Sequence, residues 1–115
     1  MSESDQLFQI VLETPSGERS ISANSRDHIL DAAERAGITL PFICRQGRCL
    51  TCAGVLIGEG DFDISDADMY FPEDRAAGFI LLCTAKPRSG LCIRTHQELQ
   101  MREHRRRSKL PAPYS

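Results

Sequence analysis

Three of the five cysteines of this 115-residue chain lie within nine residues, in the stretch "CRQGRCLTC". Cys44, Cys49 and Cys52 follow the spacing C-x4-C-x2-C, and Cys83 and Cys92 come much later in the chain. Thiolates are good ligands for zinc and for iron–sulfur clusters, and they are also redox nucleophiles. The spacing therefore indicates either a metal centre or a redox dithiol.

The residues alone leave three chemistries open. A structural zinc site usually takes two C-x2–4-C pairs, and one triplet with a distant cysteine fits that pattern poorly. A redox dithiol at "CLTC" would leave Cys44 without a role. An iron–sulfur cluster accounts for Cys44, Cys49, Cys52 and Cys83 together. A [2Fe–2S] core needs two thiolates on each iron, and a wrapping loop plus one remote cysteine suits it.

The first half of the chain has the periodicities of a β-hairpin followed by a helix. Residues 7–13 alternate in polarity as a strand does, and residues 19–23 form a short returning strand. Ser25 is the predicted N-cap of a helix that ends at Gly37. The apolar stripe of this helix is predicted to consist of Ile29, Ala32, Ala33 and Ala36.

The second half predicts further strands over 53–60, 79–83 and 91–95, with a helical turn over 72–78. Residues 96–109 contain two Glu–Arg pairs at i,i+4 spacing and predict a helix. We expect this helix to lie on the surface with little burial, because Leu99 and Met101 point to different faces. The element order predicts a small mixed α+β roll.

The segments "ILDAAERAGITLPFICRQGRCLTCAG" and "LLCTAKP" resemble the helix, cluster loop and last ligand segment of the plant-type [2Fe–2S] ferredoxins. The resemblance extends to about His96. It implies a β-grasp fold, which is an α+β, ubiquitin-like roll. It also implies that Cys44, Cys49, Cys52 and Cys83 are the ligands of one [2Fe–2S] cluster.

The resemblance implies supporting roles for other residues of the cluster loop. Gly47 lets the backbone amides approach the cluster sulfurs, Arg45 braces the loop, and Thr51 offers a hydroxyl to the backbone or to a sulfur. Arg48 stands where the family usually carries a small neutral residue, and its charge predicts a less negative midpoint potential. Leu50 replaces a hydroxyl residue that the family often has.

The C-terminal part departs from the family. The chain continues for sixteen residues past Leu99 and becomes basic, as in the ferredoxin C group of extended paralogues in oxygenic phototrophs. We expect a ferredoxin domain over 1–96 and an extension over 97–115, with a basic helix and a proline-containing tail. Diluted acidity in "MYFPEDR" and in the tail argues against docking to ferredoxin–NADP reductase.

Two residue types outside the cluster loop, cysteine and histidine, could also bind a metal. Cys92 alternates with Leu91 and Ile93 in a strand, which predicts a small buried packing residue. His28, His96 and His104 are scattered along the chain and are not predicted as ligands. His96 is expected to pack or to form a hydrogen bond at a strand end.

The charges are distributed unevenly. Seven acidic residues and no basic one lie between Glu59 and Asp74, and six basic residues lie between Arg94 and Lys109. These segments are either solvated faces or two partner-facing patches of opposite sign. The net charge of −2 does not distinguish between these two interpretations.

The expected function is one-electron transfer between a reductase or photosynthetic donor and acceptor enzymes. Enzymatic catalysis is not expected, since the chain has no GxGxxG fingerprint and no general acid–base constellation. Partners would be transient redox proteins, with no nucleic acid and no membrane span. Alternatives are a cluster-bearing regulatory or assembly protein that acts through its basic tail, and a zinc-bound interaction domain.

The expected location is the cytoplasm, as a soluble protein in a reducing compartment. No apolar run approaches the roughly 18 residues that a membrane span needs, and "MSESDQ" resembles no leader peptide. The chloroplast stroma is expected only if a transit peptide has been removed. A reducing compartment favours metal ligands over disulfides as the use of the cysteines.

Overall fold

The computed structural model describes residues 7–41, 50–67 and 69–110. The elements in this part of the chain are, in order, β1 (Leu7–Thr14), β2 (Gly17–Asn24), α1 (Ile29–Arg35), β3 (Ala53–Leu56), β4 (Phe62–Asp63), α2 (Pro72–Ala76), β5 (Phe79–Leu81), β6 (Lys86–Pro87), β7 (Leu91–Arg94) and α3 (Glu98–Arg107). None of the helices in these ranges is long and apolar enough to cross a bilayer.

The main sheet has five strands in the order β2-β1-β7-β3-β5. β1 and β7 run parallel, and the other neighbouring strands run antiparallel. Helix α1 packs on this sheet, and β4 pairs with β6 in a second, two-stranded sheet. This mixed sheet with a helix packed on one face is the predicted β-grasp roll.

The β1–β2 hairpin forms as its alternating pattern predicts. Ile10 and Leu12 are fully buried on the inward face, and Phe8 is partly buried beside them. The turn is closed by the Thr14 hydroxyl, which donates to the Gly17 carbonyl over 2.8 Å. Gly17 has φ of 121°, a conformation that favours glycine.

Helix α1 begins at Ile29, so the prediction of Ser25 as its N-cap was wrong. His28 takes the cap position without a side-chain cap bond. The Ile29 N–H donates instead to the Ala85 carbonyl (2.9 Å), and the Leu30 N–H donates to the Leu82 carbonyl (2.8 Å). Backbone from a distant turn thus satisfies donors that a cap residue normally satisfies.

The buried face of α1 also differs slightly from the predicted stripe. Leu30 is fully buried, whereas Ala36 is exposed because the helix proper has ended before it. Gly37 ends the helix as predicted, with φ of 81°. The Ile38 N–H reaches back to the Ala33 carbonyl over 2.9 Å, which satisfies one of the last carbonyl groups.

Three strands are shorter than predicted, and one of them, β7, ends at Arg94, one residue earlier than predicted. β3 ends at Leu56 because the chain turns at Gly58, whose φ is 77°. β5 ends at Leu81 because residues 82–84 form a turn. That turn carries Cys83 out of the sheet.

Helix α3 forms where the i,i+4 pairs predict it. Arg102 Nε lies 2.9 Å from a Glu98 carboxylate oxygen, and Glu103 pairs with Arg107 over 3.0 Å. The prediction of little burial was wrong, because Met101 is fully buried. The buried face of α3 consists of Met101 and, one turn later, Arg105. A search for an apolar stripe does not detect this face, because one of its two residues is charged.

Candidate metal centre

Antiparallel pairing of β3 with β5 brings two cysteines from distant parts of the chain together. Ala53 faces Leu81 in the ladder, and the Leu82 N–H donates to the Cys52 carbonyl over 3.2 Å. Cys52 directly precedes β3 and Cys83 follows β5, so both lie at the same end of the strand pair. Their Sγ atoms are 3.0 Å apart, although they are 31 positions apart in the sequence.

The two thiols are buried and are not joined in a disulfide. Cys52 is 3% exposed and Cys83 is 2% exposed. Two sulfurs on one tetrahedral metal lie about 3.7 Å apart, given metal–sulfur bonds of about 2.3 Å. The observed separation is therefore within about 0.7 Å of what a shared metal atom needs. Two buried sulfur ligands at this distance suit a soft metal or an iron–sulfur group.

The N-terminus of α1 holds the turn that presents Cys83. The carbonyls of Leu82 and Ala85 flank this cysteine, and each accepts a hydrogen bond from the first turn of the helix. The Ala85 N–H in turn donates to the Leu81 carbonyl over 3.0 Å. The backbone around Cys83 is therefore fixed from both sides, which keeps the thiol in place.

Each of the two cysteines has a buried threonine next to it in the chain. Thr51 is 9% exposed and Thr84 is 3% exposed. Within the described ranges, their hydroxyl oxygens are the buried side-chain polar atoms that meet no hydrogen-bond partner. Buried hydroxyls normally have one. The two thiols could bind a group that contains sulfur atoms, and these sulfurs could accept hydrogen bonds from the hydroxyls of Thr51 and Thr84.

Cys44 and Cys49 lie outside the described residues, as do Arg45, Gly47 and Arg48. Their roles remain predictions. The structure thus describes half of the predicted ligand set.

Cys92 lies on the opposite face of β7 from the core. Leu91 and Ile93 take the inward positions, so Cys92 is only partly buried and the prediction of a buried packing residue was too strong. Partial burial raises the pKa of its thiol, and the carboxylates of Glu13 and Glu18 raise that pKa further. A thiol that stays protonated is a poor metal ligand.

The histidines are engaged in hydrogen bonds. His28 Nε2 lies 2.8 Å from Asp66, and His104 Nε2 lies 2.9 Å from Asp74. His96 Nδ1 lies 2.7 Å from the hydroxyl of the preceding threonine, as expected of a hydrogen-bonding residue at a strand end.

The acidic segment is largely compensated by basic residues of the same chain. Its ion pairs include Asp61–Arg75 at 2.7 Å, Asp66–Lys86 at 2.9 Å and Asp63–Arg88 at 3.5 Å. Hydrogen bonds from the His28 ring and the Lys86 ammonium hold the pKa of Asp66 below its usual value. These carboxylates thus face basic partners within the fold.

A buried ion pair that the sequence reading missed ties α3 to α2. Arg105 and Asp74 are both fully buried, with Nη2 and Oδ2 2.8 Å apart and Nε and Oδ1 2.9 Å apart. Arg105 also donates to the Met69 carbonyl over 2.9 Å and stacks on Phe71. The signal was present in the i,i+4 spacing of Met101 and Arg105, which puts the two residues on one face of the helix.

The fold and the thiol pair agree with the comparisons with known proteins. Residues 13–88 match the family described as the 2Fe-2S iron-sulfur cluster binding domain. This range includes Cys44, Cys49, Cys52 and Cys83.

Curated relatives come from cyanobacteria and plants. The chain is 43% identical over 81 residues to the heterocyst ferredoxin of Nostoc sp., covering 70% of this chain and 81% of that protein. It is 39% identical over 93 residues to the chloroplastic ferredoxin-6 of Zea mays, covering 80% of this chain and 59% of that protein.

Solved structures show the same fold inside larger proteins. Pectocin M2 superposes with a TM-score of 0.75 at 28% identity, over 83% of this chain and 34% of that chain. The ferredoxin reductase of carbazole 1,9a-dioxygenase superposes with a TM-score of 0.64 at 26% identity, over 78% of this chain and 28% of that chain. The chain thus spans about a third of these solved proteins. With its β-grasp sheet, its paired thiols and these relatives, the chain belongs to the plant-type [2Fe–2S] ferredoxins.

Proposed function

We propose that this protein is a one-electron carrier, not an enzyme, with a [2Fe–2S] cluster held by Cys44, Cys49, Cys52 and Cys83. The observation that carries the proposal is the pair of buried thiols 3.0 Å apart at the end of β3 and β5. Membership of the ferredoxin family supports the same function.

The bound cluster supplies the chemistry, which is a reversible one-electron couple. The chain supplies ligands, a fixed backbone and exclusion of water. Cys52 and Cys83 would bind iron as thiolates, and their thiol protons would pass to solvent. Their burial would keep water away from a bound cluster, and the turn that α1 anchors would limit the rearrangement that a change of charge requires.

The remaining loop residues take supporting roles in this proposal. Gly47 allows backbone amides to approach the sulfurs, Arg45 braces the loop, and Arg48 adds a positive charge near the cluster. Thr51 offers its buried hydroxyl to a cluster sulfur, since no described residue accepts it.

The proposed partners are redox proteins that dock transiently at the cluster loop. Asp61, Asp63 and Asp66 are paired with basic residues of the same chain, which weakens the field that a basic reductase would recognise. We therefore do not include ferredoxin–NADP reductase among the proposed partners. A reducing compartment such as the cytoplasm keeps the thiols available for iron.

We also propose that residues 1–96 form the ferredoxin domain and that residues 97–115 form an extension of the ferredoxin C type. The change of the chain to a basic composition after Thr95 supports this division. The extension is docked on the domain through Arg105 and Asp74.

Catalytic turnover tests the carrier function. An NADH-dependent ferredoxin reductase, NADH and excess cytochrome c are mixed with a substoichiometric amount of the holoprotein, and the same mixture without the holoprotein is the blank. We expect each chain to pass many electrons to cytochrome c. A protein that is reduced once but supports no turnover would contradict a carrier role and favour a regulatory or assembly role.

A further inference from the structure

The hydroxyl of Thr84 is fully buried and has no partner among the described residues. Elsewhere in these ranges the fold satisfies its buried polar side chains. Thr95 is 3% exposed, like Thr84, and its hydroxyl lies 3.1 Å from the Glu13 carbonyl oxygen. Asp74 pairs with Arg105. The exceptions are Thr84 and Thr51, and both are adjacent to a cysteine of the thiol pair.

Local backbone acceptors near Thr84 are already in use. A threonine in a helical turn commonly donates to a carbonyl three or four residues earlier. The Leu81 carbonyl, three residues back, already accepts the N–H groups of Thr84 and Ala85. The Leu82 and Ala85 carbonyls accept the first N–H groups of α1. The turn around Cys83 therefore offers this hydroxyl little opportunity to bond the nearby main chain.

Threonine is a costly residue at this position unless its hydroxyl has an acceptor. Valine has nearly the same shape and carries no polar atom that must be desolvated. The acceptors that the described chain does not supply are those of a group bound at the neighbouring thiols. Thiolate and sulfide sulfurs carry negative charge, which makes them acceptors for hydroxyl donors.

We propose that Thr84 tunes the potential of the redox site. Its hydroxyl donates a hydrogen bond to a sulfur of the cluster held at Cys83 and so stabilises the reduced state. This inference rests on the proposed function. Reduction adds one electron, supplied in the measurement by an electrode, and it breaks no covalent bond. Hydrogen bonds to the more negative state are stronger, so the donor favours reduction.

The test compares the midpoint potentials of four holoproteins: wild type, Thr84→Val, Thr84→Ser and Thr95→Val. In Thr84→Val we expect the equilibrium constant for reduction to fall about tenfold, which is about 59 mV for a one-electron couple. Thr84→Ser keeps a hydroxyl and should stay near wild type. Thr95→Val removes a buried hydroxyl of equal size and should destabilise the fold without changing the potential.

A spectroscopic readout separates the hydrogen bond from a structural effect. Pulsed EPR of the reduced wild type in H2O and D2O should detect an exchangeable proton coupled to the cluster that Thr84→Val lacks and Thr84→Ser retains. An unchanged potential and an unchanged proton coupling in Thr84→Val would overturn the inference.

Two further results are decisive. If Thr84→Val does not assemble, Thr84→Ala takes its place, since the smaller residue avoids steric conflict. Failure of both to hold iron while Thr84→Ser and Thr95→Val hold it would overturn the tuning role, because such a hydrogen bond does not control assembly. A wild type without iron and inorganic sulfide would contradict the proposed function itself.

Discussion

Cys52 and Cys83 reach each other through backbone structure and not through a local motif. The Cys52 carbonyl accepts the Leu82 N–H, and two hydrogen bonds from α1 fix the turn that carries Cys83. We expect a thiol held in this way to keep its position whether or not its sulfur bears charge. At the residue scale the site is thus a pair of thiols held by main-chain hydrogen bonds, and we expect neighbouring charges and donors to adjust the potential of a cluster bound there.

The charge of Arg48 belongs to this scale and predicts a shift in potential. Arg48→Ala should lower the midpoint potential, because a nearby cation stabilises the reduced cluster more than the oxidised one. At about 8 Å and an effective dielectric of about 20, a unit charge contributes about 2 kcal/mol, or at most about 90 mV for one electron.

Voltammetry of wild type and Arg48→Ala at low salt measures this shift, with Arg107→Ala as the control on an exposed helix face. Added salt should reduce the difference between wild type and Arg48→Ala. A potential that does not fall in Arg48→Ala would mean that its guanidinium points away from the cluster.

The elements that position the thiols are packed closely against each other. β3 lies between β5 and β7, and a Cβ atom built on Gly54 would come within 2.7 Å of Ile93 Cγ2 and 3.1 Å of the Arg94 carbonyl oxygen. Only glycine allows this approach, two residues after Cys52. The packing of β3 on β7 therefore sets where the first thiol of the pair lies.

Gly54→Ala should destabilise the protein by about 1–3 kcal/mol, because the added methyl group overpacks the sheet. Urea unfolding followed by circular dichroism measures the loss. Gly90→Ala is the matched control, since its Cβ would meet its nearest neighbour at an ordinary 3.5 Å. Equal stability of the two variants would show that β3 and β7 separate without cost.

The buried ion pair between Arg105 and Asp74 attaches helix α3 to the rest of the fold. We therefore expect loss of Arg105 to lower the free energy of unfolding considerably. Arg105→Ala leaves the Asp74 carboxylate buried without its main partner, which typically costs about 3–5 kcal/mol. Arg107→Ala should change stability little, because that side chain is 78% exposed. Thermal unfolding compares the two variants directly. Similar melting temperatures would contradict the claim that the Arg105–Asp74 pair attaches α3 to the fold.

At the scale of the whole molecule, opposite charges of the acidic segment and of α3 pair with one another within the described part of the fold. Carboxylates of the acidic segment pair with Arg75, Lys86, Arg88 and Arg105. Arg106 and Arg107 both pair with Glu103 on the surface. The two segments are therefore less polarised than their sequences indicate, which leaves the cluster loop as the proposed docking surface.

Truncation tests whether the extension is part of the folded unit. A chain that ends at Gln97 loses Met101 and Arg105 and should be destabilised by about 3 kcal/mol or more. A chain that ends at Leu110 keeps both residues and should unfold like the full chain. This corrects the expectation of a tail with little burial. Equal unfolding midpoints for the two truncations would restore that expectation.

Local pattern predicted much of this molecule, and long-range contacts account for what it missed. The β1–β2 hairpin and the Gly37 helix end follow from periodicity and from glycine. The start of α1 at Ile29 and the burial of Arg105 depend on partners far away in sequence, Ala85 and Asp74. A pattern of neighbouring residues in the sequence does not predict contacts with partners this far away.

The ligand cysteines were assigned from family resemblance, since spacing alone left zinc and dithiol chemistry open. Thr84 was missed because a threonine after a cysteine in "LLCTAKP" has no distinctive pattern. Thr84 differs from an ordinary turn residue in that its hydroxyl is buried and meets no hydrogen-bond partner among the described residues.

The iron and inorganic sulfide content of purified wild type, Cys83→Ala and Cys92→Ala tests the central claim most directly. We expect about two irons and two sulfides per chain in the wild type, as a [2Fe–2S] cluster requires. Cys92→Ala should keep this content and the visible absorption, and Cys83→Ala should lose both. A colourless wild type that contains zinc, or a full complement of iron in Cys83→Ala, would contradict it.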